Sequence, residues 1–557
     1  MTSSNSRTGG RLLVDCLIAL GAKHSFGVPG ESYLAVLDAL HDTKGQLDFT
    51  LCRNEGGAAF MAEAYGKLSG APGICFVTRG PGATNASIGV HTAMQNSSPM
   101  LLFVGQVGTD MKEREAFQEI DYRAYFGKVA KWVTEIESVD RIPELVARAW
   151  STALSGRRGP VVVALPENVL TEFSSERPCR AASIPEPAPD SDSIQRIRRS
   201  LQNAERPLIL LGGSGWNDKG RAAMQSFAER NGIPVVAAFR FQDVFDNTSK
   251  CYAGEAGVGM WPYVKSLVSN ADVIVAVGVR FGEMTTDAYS LLEIPHVKPV
   301  LIHTHASDWE LGKIYAPDVA VHSGPNQMSE VLNEISIDTR PGWLKWLSDA
   351  REQYESSFTT PGEQPGSVNM IEVSRMLRNL LPDDVIVTNG AGNFTVWPNK
   401  FLCYSKQRRL LAPQSGAMGY GLPAAIAAKV FAPQRTVVCF AGDGDFQMNC
   451  QELGSAMQAN AQPIVLLINN NSYGTIRMHQ ERHYPARVSA TDIQNPDFVS
   501  LARSYGFHAE TVNKTEDFAS AFERAQNSKS GAVIEINVSV EAITPRQTLT
   551  QIRESSS

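Results

Sequence analysis

The segment AGDGDFQMNCQELGSAMQAN (441–460) follows the apolar run TVVCF (436–440). Glycines flank Asp443, so the backbone there can come close to a ligand and take angles closed to other residues. After Gly444 come 24 residues, and then Asn469, Asn470 and Asn471 stand at the mouth of a second apolar run, IVLLI (464–468). That length suits one helix, a return loop and the next parallel strand, which sets Asp443 and Asn470 side by side on one sheet edge. Magnesium takes about six oxygen ligands and usually keeps phosphate oxygens among them. Asp443, the Asn470 amide oxygen, a main-chain carbonyl near Ser472, phosphate oxygens and water would fill such a shell. The glycine-rich turn Gly442, Asp443, Gly444, Asp445, opening a predicted helix, is a phosphate cradle. Asparagines alone also make turns, and a lone GDG or NN is weak. Together, each after a strand, they indicate a metal–diphosphate site.

A second candidate is Glu55 in CRNEGGAAFMAEAYGKLSG (52–70). It follows the strand-like LDFTLC (47–52) and opens a helix whose Ala58, Met61, Ala62 and Tyr65 share one face. The small residues after it admit a flat ring. A carboxylate at this position is also favoured by the helix dipole alone.

These residues need elements to hold them at strand ends, and the chain supplies them. Apolar runs such as GICFVT (73–78), PMLLFVGQV (99–107), PVVVALP (160–166), PLILLGGSG (207–215), ADVIVAVGVRFG (271–282), PVLIHTHA (299–306), DVIVTNGAGN (384–393) and AVIEINVSV (532–540) alternate with helical patterns. Alternation of this kind predicts an α/β protein of three domains, each a mainly parallel sheet with helices on both faces. The linkers RPCRAASIPEPAPDSDS (177–193) and TTPGEQPGS (359–367) bound domains at 1–180, 194–340 and 368–557. Ligands of such sheets sit at the carboxyl ends of the strands, where the candidates lie. RLLVDCLIALG (11–21) is interrupted by Asp15 and reads as an amphipathic first helix. His303 and His305 in HTH share a strand face without an evident third ligand and read as structural.

Composition sets the class. Apolar residues form 43% of 557, and the net charge is −7, which argues against a nucleic-acid partner. No run approaches the roughly 18 apolar residues needed to span a bilayer. The eight cysteines are scattered without C-x-x-C, as in a reduced, cytoplasmic protein.

GDG followed by about 25 residues and NN resembles the motif of thiamine diphosphate-dependent enzymes. The likeness covers nearly the whole chain, and GPGATN (80–85), GQV (105–107) and AFQE (116–119) with Asp121 resemble the acetolactate synthase branch. The resemblance implies pyrimidine-binding, central and diphosphate-binding domains in that order. It implies thiamine diphosphate and Mg2+ as cofactors, with Asp443, Asn470 and Ser472 on the metal. Glu55 would protonate the cofactor's pyrimidine, and Met418 in QSGAMGYGLPAAIAAK (414–429) would bend the cofactor. Asn85, Gly392, Asn393, Phe394, Gly416, Tyr473, Gly474 and Thr475 fall at further cofactor positions, and Phe117 and Gln118 at the substrate end. In the family the first and third domains meet around one cofactor across a subunit interface, so the resemblance implies a homodimer as the minimum and a tetramer as the fuller assembly. Gly212, Gly213 and Arg280 match positions where relatives contact FAD, although GGSG is an incomplete dinucleotide signal, so a flavin site and none stay open.

No His-His pair occurs, and Glu31 stands where benzoylformate decarboxylases keep serine, which favours ligation over simple decarboxylation. Departures from acetolactate synthases imply a remodelled acceptor pocket: Glu167 in LPEN (165–168), His479 in RMHQ (477–480) and RFGEMTTD (280–287) in place of RFDDRVTG. The implied activity is transfer of an acyl unit from a 2-oxo acid, pyruvate first, to a second carbonyl compound. A C–C lyase or 2-oxo acid decarboxylase, an oxidase passing electrons to FAD, and a cofactor-binding subunit without catalysis are the rivals. The tail EAITPRQTLTQIRESSS (541–557) is either a lid or a frayed end.

Overall fold

A computed structural model of the chain describes residues 6–337, 341–359, 364–405 and 407–556. Residues 360–363 of the second linker lie outside the described residues. The first sheet has, in chain order, strands His24–Gly27, Asp48–Leu51, Gly73–Val77, Met100–Gln106, Trp132–Glu135 and Pro160–Pro166. Side by side they run second, first, third, fourth, sixth, fifth, all parallel. The third sheet, of Ile386–Asn389, Arg409–Leu411, Val437–Gly442, Ile464–Asn469, His508–Val512 and Ala532–Asn537, repeats that order. The middle sheet differs. Its strands Pro207–Leu211, Val235–Ala238, Tyr252–Ala256, Val273–Val277, Val300–His305 and Val319–His322 run third, second, first, fourth, fifth, sixth.

Central strands such as Gly73–Val77, Met100–Gln106 and Pro160–Pro166 are buried along their whole length. That is why they read as unbroken apolar runs, as strands covered on both faces do. Each sheet also has a place where the winding reverses between two neighbouring strands. The loops after those strands part and leave a crevice. In the third sheet it lies between Ile386–Asn389 and Val437–Gly442, and in the middle sheet between Pro207–Leu211 and Val273–Val277.

The first and third units share one apolar core. Helix Glu55–Ser69 packs on helix Gly421–Phe431, and the Phe60 and Tyr420 rings meet edge to face at 5.4 Å. Inside this contact the buried Glu63 accepts from the Tyr420 hydroxyl (2.5 Å), Asn96 Nδ2 (2.7 Å) and Ser98 Oγ (2.6 Å), so its charge is met by donors. The first helix, Gly9–Ala19, forms as expected, and Arg7 and Arg11 both pair with Asp15.

The single helix expected after Asp443 is broken. A turn of helix at Asp443–Phe446 is followed by a 3₁₀ turn, Cys450–Glu452, and a helix, Leu453–Gln458. Asn449 causes the break: its backbone leaves helical angles (φ −143°) and its side chain donates to Gly419 O at 2.8 Å. No helix among the described residues is long and apolar enough to cross a membrane.

Candidate active site

The crevice of the third sheet is a cavity of about 240 Å3. The loop after Ile386–Asn389 gives it Gly392, Asn393 and Phe394, and the loop before helix Gly421–Phe431 gives Gly416 and Met418. Strand Val437–Gly442 delivers Gly442, Asp443, Gly444 and Asp445, and strand Ile464–Asn469 delivers Asn470, Ser472, Tyr473, Gly474 and Thr475. All the residues expected on the diphosphate side therefore face one space. Several glycines are required there. A Cβ on Gly444 would lie 2.6 Å from the Tyr473 ring, and one on Gly442 would lie 2.7 Å from the Phe394 ring. Gly416 sits at φ +68°, the left-handed region glycine reaches freely.

Asp443 and Asn470 are the hard oxygen donors of this cavity. Burial pushes the Asp443 carboxyl above its ordinary pKa, against hydrogen bonds led by Asn495 that lower it. A divalent cation at this carboxylate would relieve the same penalty. Asn495, which the sequence did not single out, donates from Nδ2 to Asp443 Oδ2 (2.8 Å), Asn469 Oδ1 (2.9 Å) and Asn471 Oδ1 (3.1 Å). It thereby ties the two strand ends together. Asn470 Oδ1 accepts from Ser472 N at 3.1 Å, and the 470–474 turn is fastened by Tyr473 N to Thr491 O and Ile493 N to Asn471 O. Thr475 Oγ1 donates to Asn393 Oδ1 at 2.7 Å, linking the two sides of the cavity. Asp445 is buried, which raises its carboxyl to about 7, and its Oδ1 accepts from Gly419 N (2.9 Å) and Ala391 N (3.1 Å).

Glu55 opens helix Glu55–Ser69, capped by the Asn54 side chain, and accepts from Asn85 Nδ2 at 2.9 Å. Gly82 lies against it: a Cβ there would stand 3.4 Å from Glu55 Oε1. A second residue unforeseen from sequence sets this turn. Buried Glu452, nine positions beyond Asp443 in the chain, accepts from Arg53 N (3.1 Å) and Asn54 N (2.9 Å) across the contact between first and third units. Phe117, 72% exposed, and Gln118, at φ +66° against Gly80, flank the same sheet edge. Glu55 and Asn85 form a bonded pair, and neither they nor Phe117 and Gln118 line the 240 Å3 cavity within a single chain.

Three family models match the chain. They are "Thiamine pyrophosphate enzyme, N-terminal TPP binding domain" over residues 7–125, the central domain of the same enzymes over 194–335, and the C-terminal TPP binding domain over 390–536. The acetolactate synthase large subunit of Parasynechococcus marenigrum is 31% identical across 95% of this chain and 87% of its own length. The mitochondrial acetolactate synthase of Schizosaccharomyces pombe is 30% identical across 96% of this chain and 83% of its own. The isozyme 2 large subunit of Escherichia coli is 28% identical across 95% of both. The chain belongs to the acetolactate synthase family of thiamine diphosphate enzymes. Identity near 30% leaves room for the departures seen in this acetolactate synthase-family chain. Glu167 forms a very close ion pair with Arg79, whose other nitrogens reach Glu31 Oε1 (3.3 Å) and Phe117 O (3.0 Å). His479 stacks on His483 and lines a second cavity.

That second cavity, about 830 Å3, opens at the reversal point of the middle sheet. Gly213 and Arg280 line it, while Gly212 lies behind, 2.9 Å from Ala238 Cβ if it carried a Cβ. Arg280 is pulled down to about 10 by burial, then by Arg157, and its Nη1 donates to Gln95 O. Nε of Arg280 and Oδ1 of Asn399, both in this wall, are buried without a hydrogen-bond partner among the described residues. The tail closes one side: Ile543, Thr544, Pro545, Arg546 and Gln547 belong to the wall. Beyond them helix Leu549–Ser556 packs on helix Gly474–His483, with Leu549 and Ile552 buried near Met478 and Arg553 paired with the buried Glu481. The described tail is docked against the site.

Proposed function

We propose that the chain decarboxylates a 2-oxo acid, pyruvate first, and joins the acyl unit to a second carbonyl compound. The single observation that supports this most is the gathering of Asp443, Asn470 and the Met418 and Gly392 loops around one cavity at the winding reversal of the third sheet. Thiamine diphosphate would supply a carbon nucleophile and electron sink. Asp443, Asn470 and a carbonyl near Ser472 would hold Mg2+ on its diphosphate. Glu55, oriented by Asn85, would hold the proton that the pyrimidine ring needs, Met418 would support the cofactor, and Gln118 and Phe117 would receive the substrate. We assign the units to 1–180, 194–340 and 368–557, a division supported by the family matches at 7–125, 194–335 and 390–536.

The cluster around Glu55 lies apart from the diphosphate cavity of its own chain, which supports a homodimer or tetramer whose sites form between copies. The larger cavity, with arginines and rings in its wall and buried orphan polar atoms, has the donor set for an anionic ligand of FAD's size. All eight cysteines are free thiols, which supports a cytoplasmic setting. One observation favours the lyase alternative, or an acceptor without a carboxylate. Arg79 is spent on Glu31, Glu167 and Phe117 O and is not open to a second acid at that sheet edge.

The deciding experiment supplies pyruvate with thiamine diphosphate and Mg2+, with and without an aldehyde, and identifies products by mass spectrometry. Carbon–carbon products are expected. Acetaldehyde alone under both conditions would move the assignment to the decarboxylase class. No consumption at all would leave a binding subunit.

A further inference from the structure

Arg240 belongs to the middle unit, in the turn after strand Val235–Ala238, yet both its terminal nitrogens are spent on the third unit. Nη2 donates to Gly390 O at 3.1 Å, and Nη1 makes a very close hydrogen bond to Pro413 O. Gly390 begins the loop that carries Gly392, Asn393 and Phe394 to the smaller cavity. Pro413 begins the loop that carries Gly416 and Met418. From the other side Asp445 accepts from Ala391 N and Gly419 N, one amide in each of the same two loops. There is no spare room between the braces: a Cβ on Gly390 would lie 2.0 Å from Asp445 Oδ1.

The arrangement is maintained against opposing terms. Arg240 is 3% exposed, so its cation is largely stripped of water, and burial pulls its guanidinium down to about 10. Its backbone sits at φ +63°, a left-handed conformation that a residue with a long side chain rarely adopts. Its Nε has no partner among the described residues, and its guanidinium lies 4.9 Å from the Phe239 ring centroid. A planar guanidinium can hold two carbonyls at a fixed spacing, which a lysine ammonium cannot reproduce.

We propose that Arg240 is a positioning residue for the cofactor site, setting the spacing of the Gly392 and Met418 loops from the middle unit. The role rests on the assignment of thiamine diphosphate to the smaller cavity. It makes cofactor affinity depend on how the middle unit is seated, because the clamp is anchored there and Arg240 also forms part of the larger cavity's wall.

The test titrates thiamine diphosphate, with Mg2+ in excess, into the purified full chain and its Arg240→Met and Arg240→Lys variants. Binding is read from quenching of tryptophan fluorescence, since Trp397 lines the smaller cavity. Melting of each cofactor-free chain and the KM for pyruvate are recorded alongside. Arg240→Met is expected to raise the half-saturating cofactor concentration about tenfold and Arg240→Lys about threefold. The KM for pyruvate at saturating cofactor should move less than twofold. A merely structural arginine would lower the melting temperature of the variants without shifting the half-saturation point. Unchanged half-saturation in the folded variants overturns the role of Arg240, and if Arg240→Met does not fold, Arg240→Lys decides alone. A wild-type chain with no saturable response would instead defeat the cofactor assignment itself, and the clamp with it.

Discussion

At the scale of single residues, the proposed chemistry rests on Glu55, at the start of its helix, and Asp443, just beyond strand Val437–Gly442. Glu55→Gln keeps the size and the Asn85 contact but cannot exchange a proton. We expect the fold unchanged by circular dichroism, while deuterium exchange at C2 of the bound cofactor slows by about 100-fold or more in an NMR quench assay. Asp443→Ala removes the charged donor of the proposed metal site, so the Mg2+ concentration for half-maximal activity after chelator treatment should rise about tenfold or more. These two residues were legible because each follows a strand-like run and sits among glycines. Asn495 was not. It lies in an irregular stretch where no period marks it, and only folding brings it within 2.8 Å of Asp443. Glu452 was hidden for a different reason: it occupies a segment read as ordinary helix, and its partners are backbone amides some 400 positions away. Arg240 was equally silent, since its neighbours gave no motif.

At the scale of elements, long central strands were readable, as was the edge strand Asp48–Leu51, while shorter edge strands were not. Ile464–Asn469 carries five apolar residues and Ala532–Asn537 four apolar or small ones because helices cover both faces. Val319–His322 alternates buried and exposed residues over only four positions, and Arg409–Leu411 has three, so neither stands out from a loop. The HTH strand illustrates how burial settles a motif. His303 Nε2 meets Val279 O at 2.9 Å and His305 Nδ1 accepts from Ser307 N at 3.0 Å, while Phe281 packs on His303. Among the described residues no group of three or more His, Cys, Asp or Glu is arranged to hold a metal. Burial, then His303, depresses His305 from 6.5 to about 4, with Glu310 opposing. The folded state therefore binds fewer protons than the unfolded chain between those values. Stability should be full above pH 6.5 and decline as pH falls toward 4, by about 3 kcal/mol at most. His305→Asn should flatten that limb of the melting-temperature profile. The contact beneath Glu55 is equally exacting. A Cβ on Gly57 would stand 2.7 Å from Glu452 Oε1, so Gly57→Ala should destabilise the chain by about 1–3 kcal/mol in urea titration.

At the scale of the whole molecule, the repeated winding of the first and third sheets puts a crevice on each, and a single chain leaves the two candidate clusters apart. Mixing two inactive variants tests whether copies complete one another. When Glu55→Gln and Asp443→Asn chains are co-expressed, half the dimers are mixed, and each mixed dimer has one intact site. About a quarter of wild-type activity is expected if sites form between copies. No recovery would place each site within one chain.

The two cavities share Ala391, Gly392, Asn393, Gly416, Thr475 and Ile543. That common partition sets the two chambers side by side, so a molecule in the larger one would bear on the loops that line the smaller one. If the larger chamber takes FAD as proposed, order of addition should govern reconstitution: apoprotein given FAD before thiamine diphosphate should regain activity more slowly than apoprotein given the two in reverse, with the same final level.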